Sequence, residues 1–507
     1  MTAGPEGLPP ESTTPAPAGG RSAQATVARN TSFLLVAQVL GMPLTLAVNA
    51  VMARKLGPDE FGYIYLALTL ASFFFLAVEW GQSGSLPRLI VKDRASTGKI
   101  LGTALAWRVA SVIPIYGALV LVSIALGYGR AFQGVLVLVV LARAAGTICG
   151  ACLDAARGLE NTALTAYSSV RYNLLCVGLV IPTLWLGGRL LAVLVALWAA
   201  DVVNTAFVWR AVRRLGIRGF SVDIKTLRVL LATGTSFMLL NLALALQPNV
   251  DAVLLSNFGT PQAMGWFAAA RKLIGALVFP VTALQGALYP TLCRLFVEDA
   301  AAFKKMVGTA LRTSAILVVP IALGTGLYPE LGIRIFSEAS FAPAENNLRV
   351  MAVFLLLVYF TMVLGAAIAA SGRQSVWAVA QLGCVAVSAI ADPLLIPWFH
   401  RTTGNGGLGV CVSSVLSELL MIICGFWVAP RGLFDRPLVL GVGRAIVAGG
   451  AMVLVSRQMT SFNPFLGATA SVAAYAVCLW LIGGIDKETI ETIRATIARR
   501  AGRSGRA

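Results

Sequence analysis

Apolar runs of roughly 20 residues, each closed by a short polar break, follow one another along this chain. A run of that length crosses ~30 Å of hydrocarbon as a helix. The pattern predicts spans at 31–53, 61–81, 100–126, 131–153, 164–187, 190–210, 234–256, 264–288, 309–331, 348–370, 376–398, 408–429, 439–456 and 465–484. Composition agrees: of 507 residues 58% are hydrophobic and 12% charged, with a mean hydropathy of +0.81. Soluble domains carry about 25% charged residues. The chain therefore reads as an all-α polytopic membrane protein with fourteen transmembrane helices. Residues 1–28 are rich in Pro, Gly, Ala, Ser and Thr and lack an apolar run, so they read as a disordered tail rather than a cleaved signal.

The +18 formal charge is distributed by side of the membrane. Breaks facing the amino terminus, together with both tails, hold 27 of the 40 basic residues, among them Arg88, Lys92, Arg94, Lys99, Arg213, Arg214, Lys304 and Lys305. The opposite breaks hold eight: Arg54, Lys55, Arg130, Arg189, Arg334, Arg349, Arg401 and Arg457. The positive-inside rule then puts both termini, including the basic tail 485–507, in the cytoplasm. The basic balance is a membrane-orientation signal, and nucleic-acid binding is not the reading.

Part of the pattern occurs twice. Asn49-Ala50-Val51-Met52 aligns with Asp251-Ala252-Val253-Leu254, and Gly57 with Gly259, at an offset of 202; one residue later Gly62-Tyr63 aligns with Gly265-Trp266. Ala155-Ala156-Arg157-Gly158 is echoed by Ala369-Ala370-Ser371-Gly372. Six predicted spans separate the copies, so both cross in the same sense, a parallel repeat. The expected organisation is a six-helix lobe over 29–212 and a cytoplasmic linker with an amphipathic helix over 213–233. A second six-helix lobe over 234–430 and two extra helices over 431–484 complete it.

The stretches ARKLGPDEFGYIYLALTL, VDAVLLSNFGTPQAMGWFAAARKL, LYPTLCRLF, RIFSEASFAPAENNLRVMAV and ASGRQS resemble polysaccharide transporters of the Wzx type. These share a superfamily with the lipid II flippase and the MATE drug exporters. The resemblance runs from about residue 30 to 484 and rests on glycine turns and small-residue patterns. It implies a V-shaped, two-lobed flippase of the bacterial inner membrane, carrying an undecaprenyl-diphosphate-linked oligosaccharide to the outer leaflet. Polysaccharide, O-antigen or exopolysaccharide assembly would be its setting, with a glycan polymerase and glycosyltransferases as neighbouring activities. A lipid II flippase and a cation-coupled, MATE-like exporter are the alternatives. The exporter fits less well, given two extra spans and five basic residues inside the spans.

Charges inside spans are costly and so carry the function. The basic set is Arg108, Arg143, Arg171, Arg271 and Lys272, expected to line a cavity and hold the diphosphate, since guanidinium binds phosphate oxygens bidentately. Snorkelling is the competing reading for Arg108 and Arg171. The acidic set is Glu79, Asp201, Asp251, Asp392 and Glu418, expected to pair with the arginines or exchange a coupling ion or proton. Asp251, which begins the repeated turn, is read as capping or bracing the hairpin of spans 7 and 8, and Asp392, before Pro393, as marking a helix break. No cofactor or metal is expected: His400 is the only histidine, and Cys149-x-x-Cys152 is a packing pair. No GxxxxGK[ST] loop marks an ATP site, and a membrane enzyme of glycan assembly would need a large outer loop or a catalytic histidine. Cysteine labelling at His400 should report outside and at Arg373 inside; a cytoplasmic His400 contradicts the fourteen-span topology.

Overall fold

The computed structural model describes residues 19–336, 339–429, 436–459, 461 and 463–484, with side chains from Val36 onward. The described residues form sixteen α-helices and one short 3-10 turn. In order the helices are α1 (Gly19–Glu79), α2 (Gln82–Lys92), α3 (Thr97–Ala125), α4 (Arg130–Gly158), α5 (Ala163–Trp185), α6 (Leu190–Arg214), α7 (Ile224–Phe258) and α8 (Pro261–Leu277). Then come α9 (Phe279–Glu298), α10 (Ala300–Leu327), α11 (Pro329–Phe336), α12 (Ala344–Ala370), α13 (Gln374–Thr403), α14 (Gly407–Val428), α15 (Arg436–Gln458) and α16 (Pro464–Leu481). Residues 1–18 and the tail 485–507 lie outside the described residues. Helix α1 starts at Gly19, inside the segment expected to be disordered, where Ala23, Ala25 and Ala28 supply high helix propensity.

Twelve stretches are long and apolar enough to cross a membrane, or thirteen with α8–α9, which bend by 41° at their junction. Pro280 at the start of α9 accounts for that bend, having no N–H to give the preceding turn. One of the twelve runs 57 residues, Val36–Lys92. At 1.5 Å per residue that is roughly 85 Å, nearly three hydrocarbon cores. It is broken at Gly57, whose φ of 76° and ψ of 174° lie outside the helical region and which Pro58 follows. The fourteen crossings expected from sequence are reached only by counting the two arms of α1 apart.

Two sequence expectations change. No separate amphipathic helix occupies 213–233: residues 215–223 are non-helical and Ile224 opens α7, which runs on to Phe258. Asp223 caps that helix, accepting from Thr226 N at 2.9 Å, and pairs with Lys99 at 3.0 Å. The Thr226 hydrogen bonds, then Lys99, hold its carboxyl well below the usual range. Helix α13 passes unbroken through Pro393 and Pro397, so no break marks Asp392. Membrane helices tolerate such prolines where neighbours take up the freed carbonyls.

The repeated hairpins meet each other. A Cβ on Gly265 would lie 2.0 Å from the Pro58 carbonyl oxygen, and one on Gly62 would lie 2.5 Å from that of Pro261. Pro58 matches Pro261, and Gly62 matches Gly265, at a common offset of 203, so the contact is reciprocal. Phe61 meets Phe341 and Tyr65 meets Phe267 edge-on beside it, within one apolar cluster that also takes in Phe132, Leu136 and Met351. On the other side of the bundle the inner half of α7 lies on the α1–α2 junction. There Gly81 faces the Gly234 carbonyl, and the Arg88 guanidinium sits 4.7 Å above the Phe237 ring. Helices α15 and α16 pack on α10 through Val319, Met452 and Tyr475, and the Tyr475 hydroxyl donates to the Ile316 carbonyl at 2.9 Å.

Gly265→Ala forces a methyl into the Pro58 carbonyl and should cost about 1–3 kcal/mol by overpacking. Gly117→Ala enters open space and should not destabilise. Thermal unfolding in detergent distinguishes them, and equal melting temperatures for the two variants would contradict the hairpin seat.

Candidate functional site

Helices α1, α4, α5, α6 and α8 enclose three adjoining recesses of about 270, 380 and 420 Å³. The first shares Leu68, Tyr172 and Leu197 with the second, and Thr45, Asn49, Asn173 and Lys272 with the third. Ser169 joins the second and third. The residues thus form one branched cavity between the first half of the chain and α8.

The structure brings four of the predicted charges to this cavity. Arg143 of α4 and Asp201 of α6 line the second recess, Arg271 the third, and Lys272 both the first and the third. Arg143 is aimed by Ser72 of α1, to whose hydroxyl its Nη2 donates while Ser72 donates to the Leu68 carbonyl at 2.6 Å. Its Nε is buried without a partner. The Asp201 carboxylate lies over Gly146, where a Cβ would come within 3.5 Å of Oδ1. No ion pair joins Asp201 to Arg143 among the described residues. Arg271 packs its guanidinium 5.2 Å over the Phe354 ring. Lys272 has no hydrogen-bonding or ionic partner among the described residues. Burying an ammonium without a counter-charge is expensive, so a cavity holding Lys272 is suited to an anion.

Other predicted residues lie elsewhere. Arg108 is 1% exposed, and it donates to Gln82 Oε1 at 2.8 Å, the Thr147 carbonyl at 2.5 Å and Asp154 Oδ2 at 3.1 Å. Asp154 also holds Arg157. This corrects the expectation that Arg108 lines the cavity: all its nitrogens are committed to a buried network tying α2, α3 and α4. Arg171 lies along the α5–α6 seam, donating to Asn204 Oδ1 at 3.1 Å and stacking 4.9 Å over Phe207, and it lines none of the recesses. Glu79 closes α1 away from them. Glu418 of α14 accepts from Thr361 Oγ1 of α12 at 2.8 Å.

Asp251 and Asp392 come together. They are 2% and 0% exposed and adjoin one another between α7 and α13. Ser413 donates to Asp392 Oδ1, while Asp392 Oδ2 and Asp251 Oδ1 have no partner. Gln247 and Ser388 lie beside them, 3.4 Å apart. Asp251 therefore does not cap the hairpin; Thr260 Oγ1 does, accepting from Ala263 N at 3.2 Å.

Sequence reasoning passed over the neutral polar lining: Thr45, Asn49, Asn173, Ser72 and Asn204. Thr45 donates to Asn173 Oδ1 at 3.1 Å. Amides inside apolar runs were the available signal, since their desolvation also demands a partner or a cavity.

The fold has solved counterparts. A lipid II flippase, MurJ, in an inward closed conformation aligns over 90% of this chain and 99% of its own, with a TM-score of 0.72 at 12% identity. A multidrug-resistance MATE transporter of the MOP superfamily, inward-facing, covers 76% of this chain and 93% of its own, with a TM-score of 0.63 at 15% identity. A MOP superfamily transporter from Pyrococcus furiosus, described as having a binding pocket of reversed polarity, covers 83% and 96% with a TM-score of 0.55 at 14% identity. The all-helical, multi-span architecture is thus that of the MOP transporters. No curated protein sequence matches the chain. The profile described as "Polysaccharide biosynthesis protein" matches residues 27–296. That segment is more than half of the sequence, and the chain belongs to the polysaccharide biosynthesis protein family.

Proposed function

We propose that the protein is a flippase that moves an undecaprenyl-diphosphate-linked oligosaccharide from the inner to the outer leaflet of the bacterial inner membrane. Both termini lie in the cytoplasm, and glycosyltransferases supply the substrate while a glycan polymerase takes it up. Membership of the polysaccharide biosynthesis family and a fold shared with transporters support this reading. One observation carries it: Lys272, unpaired among the described residues, lines two recesses of a membrane-embedded cavity, with Arg271 beside it on the third. Two positive charges match a diphosphate diester, whose passage through bare hydrocarbon is prohibitive. The cations replace its hydration shell with fixed charge.

Movement needs a driving force, and Asp251 with Asp392 supplies the coupling site in this account. Two adjoining carboxyls with unpartnered oxygens take a proton or a small monovalent cation more readily than they stay doubly ionised. Asp251 follows Pro248 by less than one turn of α7, so neutralising the pair acts beside a proline that removes one backbone hydrogen bond from the helix. A cation-coupled drug exporter would use the same pair, but its cationic cargo does not suit Arg271 and Lys272.

Lys272→Ala should stay folded and lose export, with farnesyl diphosphate binding weakened about tenfold or more, since charge-assisted hydrogen bonds contribute about 1.5–3 kcal/mol. Arg143→Ala should also stop export, and Arg143→Lys should keep part of it. Arg108→Ala should instead reduce the amount of folded protein, because it takes the donor from Gln82 Oε1, the Thr147 carbonyl and one oxygen of Asp154, a cost of about 1–3 kcal/mol for each group left buried and unsatisfied. Normal export by a well-expressed Lys272→Ala protein sinks the proposal. Asp251→Asn should bind farnesyl diphosphate normally yet lose the dependence of transport on an ion gradient; transport that keeps its gradient dependence rejects the coupling site.

A further inference from the structure

Resting on the flippase reading, the geometry of the second recess points to a separate binding site. We propose that the cleft among α4, α5 and α6 is the sugar subsite, taking the pyranose next to the diphosphate while the diphosphate itself stays at Arg271 and Lys272.

Three features distinguish this cleft from the rest of the cavity. First, its charges cancel. Arg143 and Asp201 both line it, and the third recess, with Arg271 and Lys272, has no carboxylate in its lining. An anion belongs at the unbalanced end, and a neutral polar ligand at the balanced one. Second, the two charged groups share one wall but are held apart. Ser72 draws the Arg143 guanidinium toward α1, and the Asp201 carboxylate sits over Gly146, three residues further along α4. A closed ion pair would satisfy itself. A split one leaves a strong acceptor and a strong donor facing open space, and the buried Arg143 Nε remains unsatisfied. Sugar hydroxyls, each donor and acceptor at once, fit between a carboxylate and a guanidinium. Third, the remaining lining suits a carbohydrate. Thr165 and Ser169 add hydroxyl groups, that of Thr165 buried without a partner, and Tyr172 presents an aromatic ring shared with the first recess. The cleft holds about 380 Å³, within the ~300–1,000 Å³ of small-ligand sites.

Connectivity supplies the geometry of the substrate. The second recess meets the first through Tyr172 and Leu197, and the first meets the third through Lys272 and Asn173. A sugar in the cleft and a diphosphate at Lys272 then lie along one continuous path. A site built on paired hydroxyl contacts discriminates strongly between sugars that keep or lose them. Asp201 is on this account the residue that reads the sugar, and Lys272 the one that holds the linker.

The test uses the full-length protein in nanodiscs with two separate probes, read by thermal unfolding and by titration. Farnesyl diphosphate reports the linker site; a panel of glucose, galactose, mannose, N-acetylglucosamine and N-acetylgalactosamine reports the cleft. The wild type should respond to farnesyl diphosphate and to at least one sugar of the panel. Asp201→Asn should weaken that sugar about tenfold or more, the loss of a charge-assisted hydrogen bond, and keep the farnesyl diphosphate response. Gly146→Leu is a second variant that fills the cleft, since its Cβ meets only Asp201 Oδ1 at 3.5 Å. It should also lose the sugar and keep the diphosphate. Lys272→Ala should show the reverse. If the wild type answers to farnesyl diphosphate and to no sugar, or if both cleft variants keep the sugar response, the subsite is wrong and the flippase reading stands. If farnesyl diphosphate itself has no effect on the wild type, the flippase reading fails.

Discussion

A charge surrounded by hydrocarbon must find a partner or a wet cavity, and this constraint arranges most of the molecule. Arg108 meets it with a buried carboxylate, an amide and a carbonyl, and thereby welds α2, α3 and α4 together. Arg171 meets it in part, with Asn204 and the face of Phe207 along the α5–α6 seam, while its Nη2 is buried without a partner. Glu418 meets it with a threonine hydroxyl. Lys272 meets it only through the cavity it lines, and one oxygen each of Asp251 and Asp392 is buried without a partner. Those unsatisfied positions are where a ligand or an ion gains most by binding, because the cost of burying the protein group is already met by the fold.

Two tight backbone seats join the helices. Pro58 against Gly265, with Pro261 against Gly62, joins the repeated hairpins, and Gly81 against Gly234 joins the α1–α2 junction to the inner half of α7. Both depend on glycine because a single methyl group would occupy the space of a carbonyl. Helix α7 carries Pro248 less than one turn before Asp251. Asp251 thus shares a helix with Gly234 of the second seat, while Asp392 faces it from α13.

Much of the architecture was legible in the sequence, for a simple reason: a 30 Å apolar slab imposes a length that a hydropathy pattern shows directly. The matching glycine turns were legible too, because those glycines answer to a backbone contact rather than to general apolarity. Depth along a span was readable at 1.5 Å per residue, which found Arg143. The face of the helix was not readable, which misassigned Arg108. A helix packed on all sides carries no amphipathic stripe to say which way a residue points. The partner that decides Arg108, Asp154, is 46 residues away. The convergence of Asp251 and Asp392 was hidden for the same reason: their helices are far apart in sequence and adjacent only once folded. Pro393 misled because a proline breaks a helix where water competes for the freed carbonyl, and α13 runs straight through it.

The account stands most directly on whether this protein carries a diphosphate-linked glycan across a bilayer. Purified protein reconstituted into liposomes, with a fluorescent polyprenyl-diphosphate oligosaccharide in both leaflets, gives that measurement through a membrane-impermeant quencher added outside. Quenching should extend to the inner pool in protein-containing vesicles and stop at the outer pool in empty ones. Quenching that halts at the same level in both, with correctly folded protein present, would contradict the central claim.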